Sequence, residues 1–259
     1  MNAKVTILGS GTFFVNEKRS APAYLLEADN KKILIDCGPG TLMRLSQLNI
    51  KPHNIDLVFI THFHADHTSD LFSFFFNIFL EDKFHGKQLS NFPTIFGPKG
   101  IYKFMVKLSN AFQLPTLDNW DKIKILEVKQ KQTIENIKIE SFNVKHFANG
   151  ISAKANSYRF TIKNKIITFS GDSVNCKGIS NSCRNADLFI CDASQPKGKA
   201  NPAHMDTIDI GNIAQKSKVK KIVLSHLYSQ TERIDLVKEV KENFSGEVIR
   251  SKDFMVFSL

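Results

Sequence analysis

The sequence predicts an α/β fold in which two β-sheets pack against each other and helices cover their outer sides. Short stretches of alternating apolar residues, each bounded by turn residues, indicate strands near the start of the chain. Strand and helix patterns then alternate, and the same order, β-rich first and alternating later, returns in the second half. Two sheets with outer helices satisfy this order because each helix can bury its apolar side on a sheet.

The elements of the first half follow from these patterns. Strands are predicted over residues 5–8, 24–28, 32–36 and 57–60. Gly38-Pro39-Gly40 ends the third strand, and a short helix is predicted over residues 41–48. Pro98-Lys99-Gly100 precedes another helix, residues 101–112, in which apolar residues recur every three or four positions. The segment after Asp66 is also expected to be helical.

The second half alternates strands and helices. Strands are predicted over residues 124–128, 137–144, 158–162, 166–170, 188–192, 221–225, 247–249 and 254–257. Helices are predicted over residues 207–216 and 234–243. No internal repeat, Pro-rich or Ser-rich linker or low-complexity tract interrupts this order, so the sequence predicts a single domain over residues 1–259.

Composition and charge limit the classes of protein to which this sequence can belong. The 259 residues are 42% hydrophobic and 23% charged, as in ordinary soluble globular proteins. The formal charge of +10 favours an anionic partner such as nucleic acid, although a lysine-rich surface that serves solubility explains it equally well. The four cysteines form no C-x-x-C pair, which argues against a thiolate zinc site.

The longest apolar stretch is too short to suggest a membrane span. It covers residues 71–80, is interrupted by Ser73 and Asn77, and falls short of the run of about 18 apolar residues that a span needs. The start of the chain alternates like a strand rather than like a signal peptide. A cytoplasmic location is therefore the expectation. The phenylalanines of this stretch cover most of a helix circumference, which indicates either core packing or a homodimer contact.

The strongest functional signal is Thr61-His62-Phe63-His64-Ala65-Asp66-His67, directly after the predicted strand 57–60. His62 and His64 are two residues apart on an extended segment, so their side chains point to the same side. Asp66 and His67, at the turn into a helix, can reach a second metal beside the first. Imidazole nitrogens and carboxylate oxygens are the usual ligands of a catalytic zinc ion. The segment therefore predicts a metal centre.

The hexapeptide from His62 to His67 resembles the signature of the metallo-β-lactamase superfamily. The resemblance implies an αββα four-layer sandwich of two mixed β-sheets flanked by helices. After the signature, that superfamily places a His, then an Asp that bridges two metals, then a final His. His146, Asp172 and His226 match this order, each at the end of a predicted strand.

The resemblance also implies how two metals are held in a hydrolase. One metal is assigned to His62, His64, His146 and Asp172. The other is assigned to Asp66, His67, Asp172 and His226. Two Zn²⁺ fit this histidine-rich set, while the ligand types alone leave Mn²⁺ and Fe²⁺ open. A water or hydroxide between the metals is the implied nucleophile.

Five further stretches resemble ribonuclease Z and its relatives, a branch of this superfamily. They are residues 9–12 with 19–26, 36–41, 95–100, 157–160, and 186–194 followed by His204. The resemblance implies that Asp192 orients His204 and that His204 either hydrogen-bonds Asp66 or protonates the leaving oxygen. It also implies a phosphate contact for Ser229 or Arg233.

The chain departs from ribonuclease Z in the lengths and residue types of its motifs. The family's usual glutamate is Asp192 here, and Met205 and Asp206 follow His204 in place of small hydroxyl residues. The short connection from His146 to Asp172 has no room for the long arm that grips tRNA in ribonuclease Z. The sequence therefore predicts a dinuclear metal-dependent phosphodiesterase or endoribonuclease that acts on precursor tRNA or on smaller phosphodiesters.

Two alternatives stay open. The same set of metal ligands is compatible with a hydrolase of lactams, lactones or cyclic nucleotides. A nucleic-acid-binding protein without turnover is an alternative from another class, and the complete ligand set argues against it.

Overall fold

The computed structural model describes residues 3–14, 17–84, 89, 92–112, 122–148 and 150–259. These residues form two mixed β-sheets of seven strands each, which pack face to face and carry helices on their outer sides. The αββα four-layer sandwich expected from the sequence is confirmed.

The first sheet contains strands from the first half of the chain and one strand from its end. In spatial order these are β14 (Val256–Ser258), β1 (Lys4–Gly9), β2 (Ala23–Ala28), β3 (Lys31–Ile35), β4 (Leu57–Phe59), β5 (Thr94–Gly97) and β6 (Ile125–Glu127). The strands from β14 to β3 pair antiparallel, and those from β3 to β6 pair parallel. The helices of this half are α1 (Thr41–Gln47), α2 (Ala65–Thr68), α3 (Leu71–Phe84) and α4 (Ile101–Ala111).

The second sheet is built from the remaining strands. In spatial order these are β13 (Glu247–Arg250), β12 (Lys221–Ser225), β11 (Leu188–Asp192), β10 (Lys165–Phe169), β9 (Ile151–Ile162), β8 (Ile137–Ala148) and β7 (Lys131–Ile134). The strands from β7 to β10 pair antiparallel, and those from β10 to β13 pair parallel. The helices of this half are α5 (Lys177–Ser182), α6 (Thr207–Lys216) and α7 (Leu236–Lys241).

Three apolar cores separate the four layers. The central core lies between the sheets, where Phe59 of β4 stacks on Phe96 at 4.8 Å and meets the ring edge of Tyr158 at 5.3 Å. Each outer core lies between one sheet and its helices. Alternate residues of a strand face opposite sides, so Leu26 joins the central core while Leu25 joins an outer one. Both sheets are thus apolar on both faces, as their position inside the sandwich requires.

Most predicted elements agree with the structure within a few residues, and the main differences concern a hairpin of the second sheet. Strand β8 continues to Ala148 and β9 begins at Ile151, well beyond the predicted limits. These two strands pair along their whole length, which keeps exposed polar residues such as Lys145 in a strand that an apolar pattern does not reveal. His146 therefore lies within β8 rather than at its end. Strands β5 and β7 and helix α5 are absent from the sequence prediction.

Helix α3 carries the longest apolar stretch of the sequence. Phe72, Phe74 and Phe75 are buried, whereas Phe76 and Phe79 are half-buried. Core packing accounts for the first three of these rings. Neither α3 nor another helix within the described ranges is long and apolar enough to cross a membrane.

Candidate metal centre and adjoining cavity

The candidate metal centre lies where strands of both sheets end. The signature segment is extended through His64 and becomes helical at Ala65, so its four ligand candidates separate into two pairs. The remaining candidates follow or belong to strands of the second sheet: His146 in β8, Asp172 after β10 and His226 after β12. The fold thus brings all seven predicted side chains to one place.

Their ligand atoms form two adjoining clusters that share Asp172. The first cluster contains His62, His64, His146 and Asp172. The second contains Asp66, His67, Asp172 and His226. Within each cluster the ligand atoms lie within 4.8 Å of one another, which is compact enough for one metal ion. These are the same two groupings that the resemblance implies.

Two buried histidine nitrogens test whether these residues suit a metal. Among the described residues, Nε2 of His62 and Nε2 of His67 are buried without a hydrogen-bond partner. A buried polar atom without a partner is costly and uncommon. Oδ1 of Asp172 lies 3.3 Å from Nε2 of His67, and Oδ2 of Asp172 lies 3.8 Å from Nε2 of His62. A metal ion beside each nitrogen would satisfy it, so the residues fit the group.

The other ring nitrogen of each of these histidines is already engaged. Nδ1 of His67 lies 2.7 Å from the buried Asp36 carboxylate. Nδ1 of His62 lies 3.1 Å from the Thr61 hydroxyl, which itself donates to Asp36. Nδ1 of His226 lies 2.8 Å from the hydroxyl of Ser194. Such contacts hold a ring so that Nε2 faces the metal position.

The electrostatics of the clusters are dominated by the buried Asp172. Burial opposes its charged form, but His226 and His67 hold the pKa of Asp172 well below its usual range. Burial likewise opposes the cationic form of His226, but Asp172 and the carboxylates of Asp192 and Asp66 raise the pKa of His226 to about 10. A metal ion would bind the neutral ring, so it would compete with this proton.

His204 and Asp192 form a second buried pair beside the clusters. Nδ1 of His204 lies 2.7 Å from Oδ2 of Asp192 at the end of β11. His204 also lines the cavity described below, so its second ring nitrogen, Nε2, is available to a ligand in that cavity. The resemblance implied a contact of His204 with Asp192 and allowed another with Asp66. The structure contains the contact with Asp192. The Asp66 carboxylate instead lies 3.2 Å from Nε2 of His226.

Sequence reasoning missed two polar residues that support the ligand candidates. Asp36 follows β3 with a positive φ of 57° and accepts from the amide and hydroxyl of Thr61 as well as from His67. Ser194 lies between Asp192 and His226 and contacts both. Both residues belong to stretches that resemble ribonuclease Z, and an acid at the end of a predicted strand was the available signal for Asp36.

A cavity of about 700 Å³ opens beside the two clusters. Its wall includes the polar side chains of His64, Asp66, His146, Asp172, His204, His226, Gln195, Asn201 and Gln230. Its aromatic lining consists of Phe13, Phe14, Phe147 and Tyr228. Ser229 and Arg233 are exposed residues of the 3-10 helix Ser229–Arg233, and neither belongs to the lining that the described residues form.

Two mixed sheets between outer helices, with clustered histidines and aspartates at the strand ends, define a metallo-β-lactamase-fold protein. Within that class, a sequence profile described as Anti-Pycsar protein Apyc1 matches residues 3–249. The chain therefore belongs to the Anti-Pycsar protein Apyc1 family.

Curated relatives and solved structures agree with this class. Ribonuclease Z of Saccharolobus islandicus strain L.S.2.15 is 24% identical over 271 residues, which cover 89% of this chain and 90% of the relative. The metallo-β-lactamase-fold protein YhfI of Bacillus subtilis has a TM-score of 0.83 at 21% identity and covers 100% of both chains. Unliganded yeast PDE1 has a TM-score of 0.80 at 14% identity, with 100% of this chain and 99% of that chain covered. The predicted resemblance to ribonuclease Z and the predicted fold are confirmed.

Proposed function

We propose that this protein is a dinuclear metal-dependent phosphodiesterase that hydrolyses small phosphodiesters, cyclic nucleotides among them. The observation that carries the proposal is the sharing of Asp172 by two ligand clusters beside the His204–Asp192 pair. Hydrolysis of a phosphodiester needs charge stabilisation at the phosphoryl oxygens and a proton at the leaving oxygen. Metal ions held by the clusters would stabilise the charge, and His204 would donate the proton. Relatives of this chain are named ribonuclease Z, and because that name denotes a nuclease, they support a phosphodiester substrate.

The two clusters would each hold one metal ion. Zn²⁺ suits their histidine-rich ligands, and Mn²⁺ or Fe²⁺ accept the same ligand types. When bound, such a pair lowers the pKa of a coordinated water and neutralises charge on attacking and leaving oxygens. Asp172 is common to both clusters and keeps the two positions adjacent.

Side chains of this protein supply the proton for the leaving oxygen. Nδ1 of His204 donates to Asp192, which leaves Nε2 to protonate the leaving oxygen. Burial lowers the pKa of His204, but Asp192 and Asp172 outweigh this effect and raise it above its usual value. Burial and neighbouring carboxylates also raise the pKa of Tyr228 to about 12, so its phenol keeps the proton and can donate to a phosphoryl oxygen.

A small substrate is favoured over tRNA by the connection that follows His146. Between His146 and Asp172 the chain forms the end of β8, then β9 and β10, which are hydrogen-bonded members of the second sheet. The described residues of this connection contain no long arm that could grip tRNA. The cavity of about 700 Å³ falls within the usual range for small-molecule sites. The formal charge of +10 agrees with an anionic substrate of either size.

The test is hydrolysis of bis(p-nitrophenyl) phosphate and of a cyclic nucleotide by protein loaded with Zn²⁺, Mn²⁺ or Fe²⁺. We expect turnover that requires metal and that falls at least a hundredfold in His204→Ala. His53→Ala, which alters a histidine of the 3-10 helix Pro52–Asn54, is the matched control and should retain activity.

Parallel substrates separate the alternatives. Site-specific cleavage of a 3′-extended precursor tRNA would assign tRNA 3′-end processing despite the short connection. Turnover of a lactam or lactone far faster than of phosphodiesters would overturn the proposal. Binding of RNA with a steep salt dependence and without turnover would favour the non-enzymatic alternative.

We also infer a homodimer from the apolar surface of α3 and α4. Phe76 and Phe79 of α3 are only half-buried, and Phe84 at the end of α3, Tyr102 of α4 and Phe112 directly after α4 are exposed. Exposed apolar surface of this kind commonly marks an interface between protein chains. Light scattering that returned the mass of one chain at micromolar concentration would refute a dimer.

A further inference from the structure

The 3-10 helix Ser229–Arg233 directly follows Tyr228, the cavity residue whose phenol can donate to a phosphoryl oxygen. Ser229 and Arg233, for which a phosphate contact was expected, lie outside the lining that the described residues form. Thr231 and Glu232 of the same helix instead make contacts within the protein. These contacts determine how Tyr228 is held beside the two clusters.

Glu232 forms an ion pair with Arg19, a buried charged side chain. Nε of Arg19 donates to Oε1 of Glu232 at 2.6 Å. Nη1 of Arg19 donates to the Ser10 hydroxyl and to the Ser251 carbonyl, each at 2.7 Å. The side chain of Glu232 is 33% exposed, whereas that of Arg19 is 6% exposed. Because a guanidinium holds its donors in one rigid plane, these three acceptors fix the position of the Arg19 side chain.

The contacts of Thr231 connect Glu232 to the backbone of Tyr228. The Thr231 hydroxyl donates to the Tyr228 carbonyl at 2.7 Å, and the Thr231 amide donates to the same carbonyl at 3.0 Å. Nη2 of Arg250 donates to the Thr231 carbonyl at 3.0 Å and lies 3.4 Å from Oε2 of Glu232. Since a 3-10 helix of this length is a short, tight turn, a displacement of Glu232 would also move Tyr228.

Arg19 also holds the segment that packs against the Tyr228 ring. The Ser10 residue that accepts from Arg19 through its hydroxyl accepts from the amide of Leu227 through its carbonyl, at 2.9 Å. Phe14 belongs to the same segment, and its ring lies 5.5 Å from that of Tyr228. Arg19 is therefore bonded both to the helix that follows Tyr228 and to the segment whose ring meets Tyr228.

We propose that Glu232 and Arg19 are positioning residues, whose ion pair holds the Tyr228 phenol where it can donate to a phosphoryl oxygen beside the two clusters. This assignment rests on the proposed function because it concerns the same site. The Tyr228 ring lies 5.9 Å from the ring of His226 and 6.2 Å from that of His204. Neither Glu232 nor Arg19 belongs to the cavity lining that the described residues form, so they act through Tyr228 rather than by contact with the substrate.

Binding of inorganic phosphate tests this role because it needs no turnover. The dissociation constant is measured by calorimetry on the zinc-loaded full chain for the unaltered protein, Tyr228→Phe, Glu232→Gln and the double variant. We expect each single change to weaken phosphate binding between about threefold and tenfold, since each removes or misplaces one hydrogen bond. The double variant should bind no more weakly than Tyr228→Phe alone, because Glu232 acts through that phenol.

Thr231→Val should weaken phosphate binding as well, since it removes the hydroxyl that donates to the Tyr228 carbonyl and nearly keeps the shape. The matched control is Glu247→Gln, which removes an ion pair of 3.0 Å with Lys221 at the start of β13, outside the cavity lining of the described residues. It should leave the phosphate affinity unchanged.

Three results would overturn the positioning role. They are failure of the unaltered protein to bind phosphate, an unchanged affinity in Glu232→Gln, and losses that multiply in the double variant. Hydrolysis of bis(p-nitrophenyl) phosphate by the unaltered protein tests the proposed function separately. A protein that hydrolyses this ester but shows multiplying losses would refute the positioning role alone.

Discussion

Nδ1 of His204 lies 2.7 Å from Oδ2 of Asp192, and both side chains are buried. Asp192 ends β11, while His204 lies in the segment before α6, so the fold joins residues from two separate elements. The carboxylate orients the ring and favours its cationic form. In the proposed mechanism, this pair sets the pH range over which His204 is protonated and can supply a proton to the leaving group.

Replacement of Asp192 by asparagine tests this pair, because Asp192→Asn removes the charge and nearly keeps the shape. Burial lowers the pKa of His204, whereas Asp192 raises it. The protonated acid is present below this raised pKa and is lost as pH rises through it. We expect the alkaline limb of the kcat/KM profile to move to lower pH in the variant, with kcat at pH 7 reduced about a hundredfold.

The control for this change is Asp29→Asn, which alters a carboxylate in the turn after β2 while keeping a residue type that tolerates the positive φ of 49°. Its profile should match that of the unaltered protein. If the alkaline limb of Asp192→Asn stayed at the original pH, Asp192 would not set the protonation of His204.

Proton release on metal binding follows from the charge state of His226. Burial opposes its charged form, but Asp172 and neighbouring carboxylates raise the pKa of His226 to about 10. Because His226 is cationic below that pH and a ligand must be neutral, zinc binding at pH 7 should release a proton from this residue. His67 should release another, because burial lowers its pKa but Asp172 and Asp36 raise it well above its usual value. Apparent zinc affinity should rise with pH until the pKa is passed. Calorimetry in buffers of different ionisation enthalpy measures the number, and a heat independent of the buffer would contradict this assignment.

Asp36 holds His67, a residue of the second cluster, through the ring nitrogen Nδ1. Its carboxylate accepts from Nδ1 of His67 at 2.7 Å and from the amide and hydroxyl of Thr61 at 2.8 and 2.9 Å. Asp36→Asn turns one acceptor oxygen into a donor that faces other donors. We expect zinc affinity to fall between about tenfold and a hundredfold in a competition assay with a chelator. Asp29→Asn is again the control, and an unaltered affinity in a folded Asp36→Asn protein would show that Asp36 does not hold His67.

The sequence predicted the fold class and the ligand candidates for different reasons. Alternating apolar residues and turn residues are local properties, and they located most strands of both sheets. The ligand candidates His62, His64, Asp66 and His67 are close in sequence and therefore form a recognisable motif. His146, Asp172 and His226 are far apart and were identified through the order in which they follow that motif. The length of β8 was missed because its pairing with β9, rather than its own apolar pattern, keeps residues 145–148 extended.

By itself, the sequence predicted the layered α/β architecture, and its resemblance to known families implied the seven ligand candidates and the pairing of Asp192 with His204. Only the tertiary structure decided that Asp36 and Ser194 support the histidines, that Ser229 and Arg233 lie outside the cavity lining, and that Phe13, Phe14 and Phe147 share it. The physical reason is that these relations depend on how strands of two sheets are paired and stacked. Such long-range contacts leave no periodic pattern in a single chain.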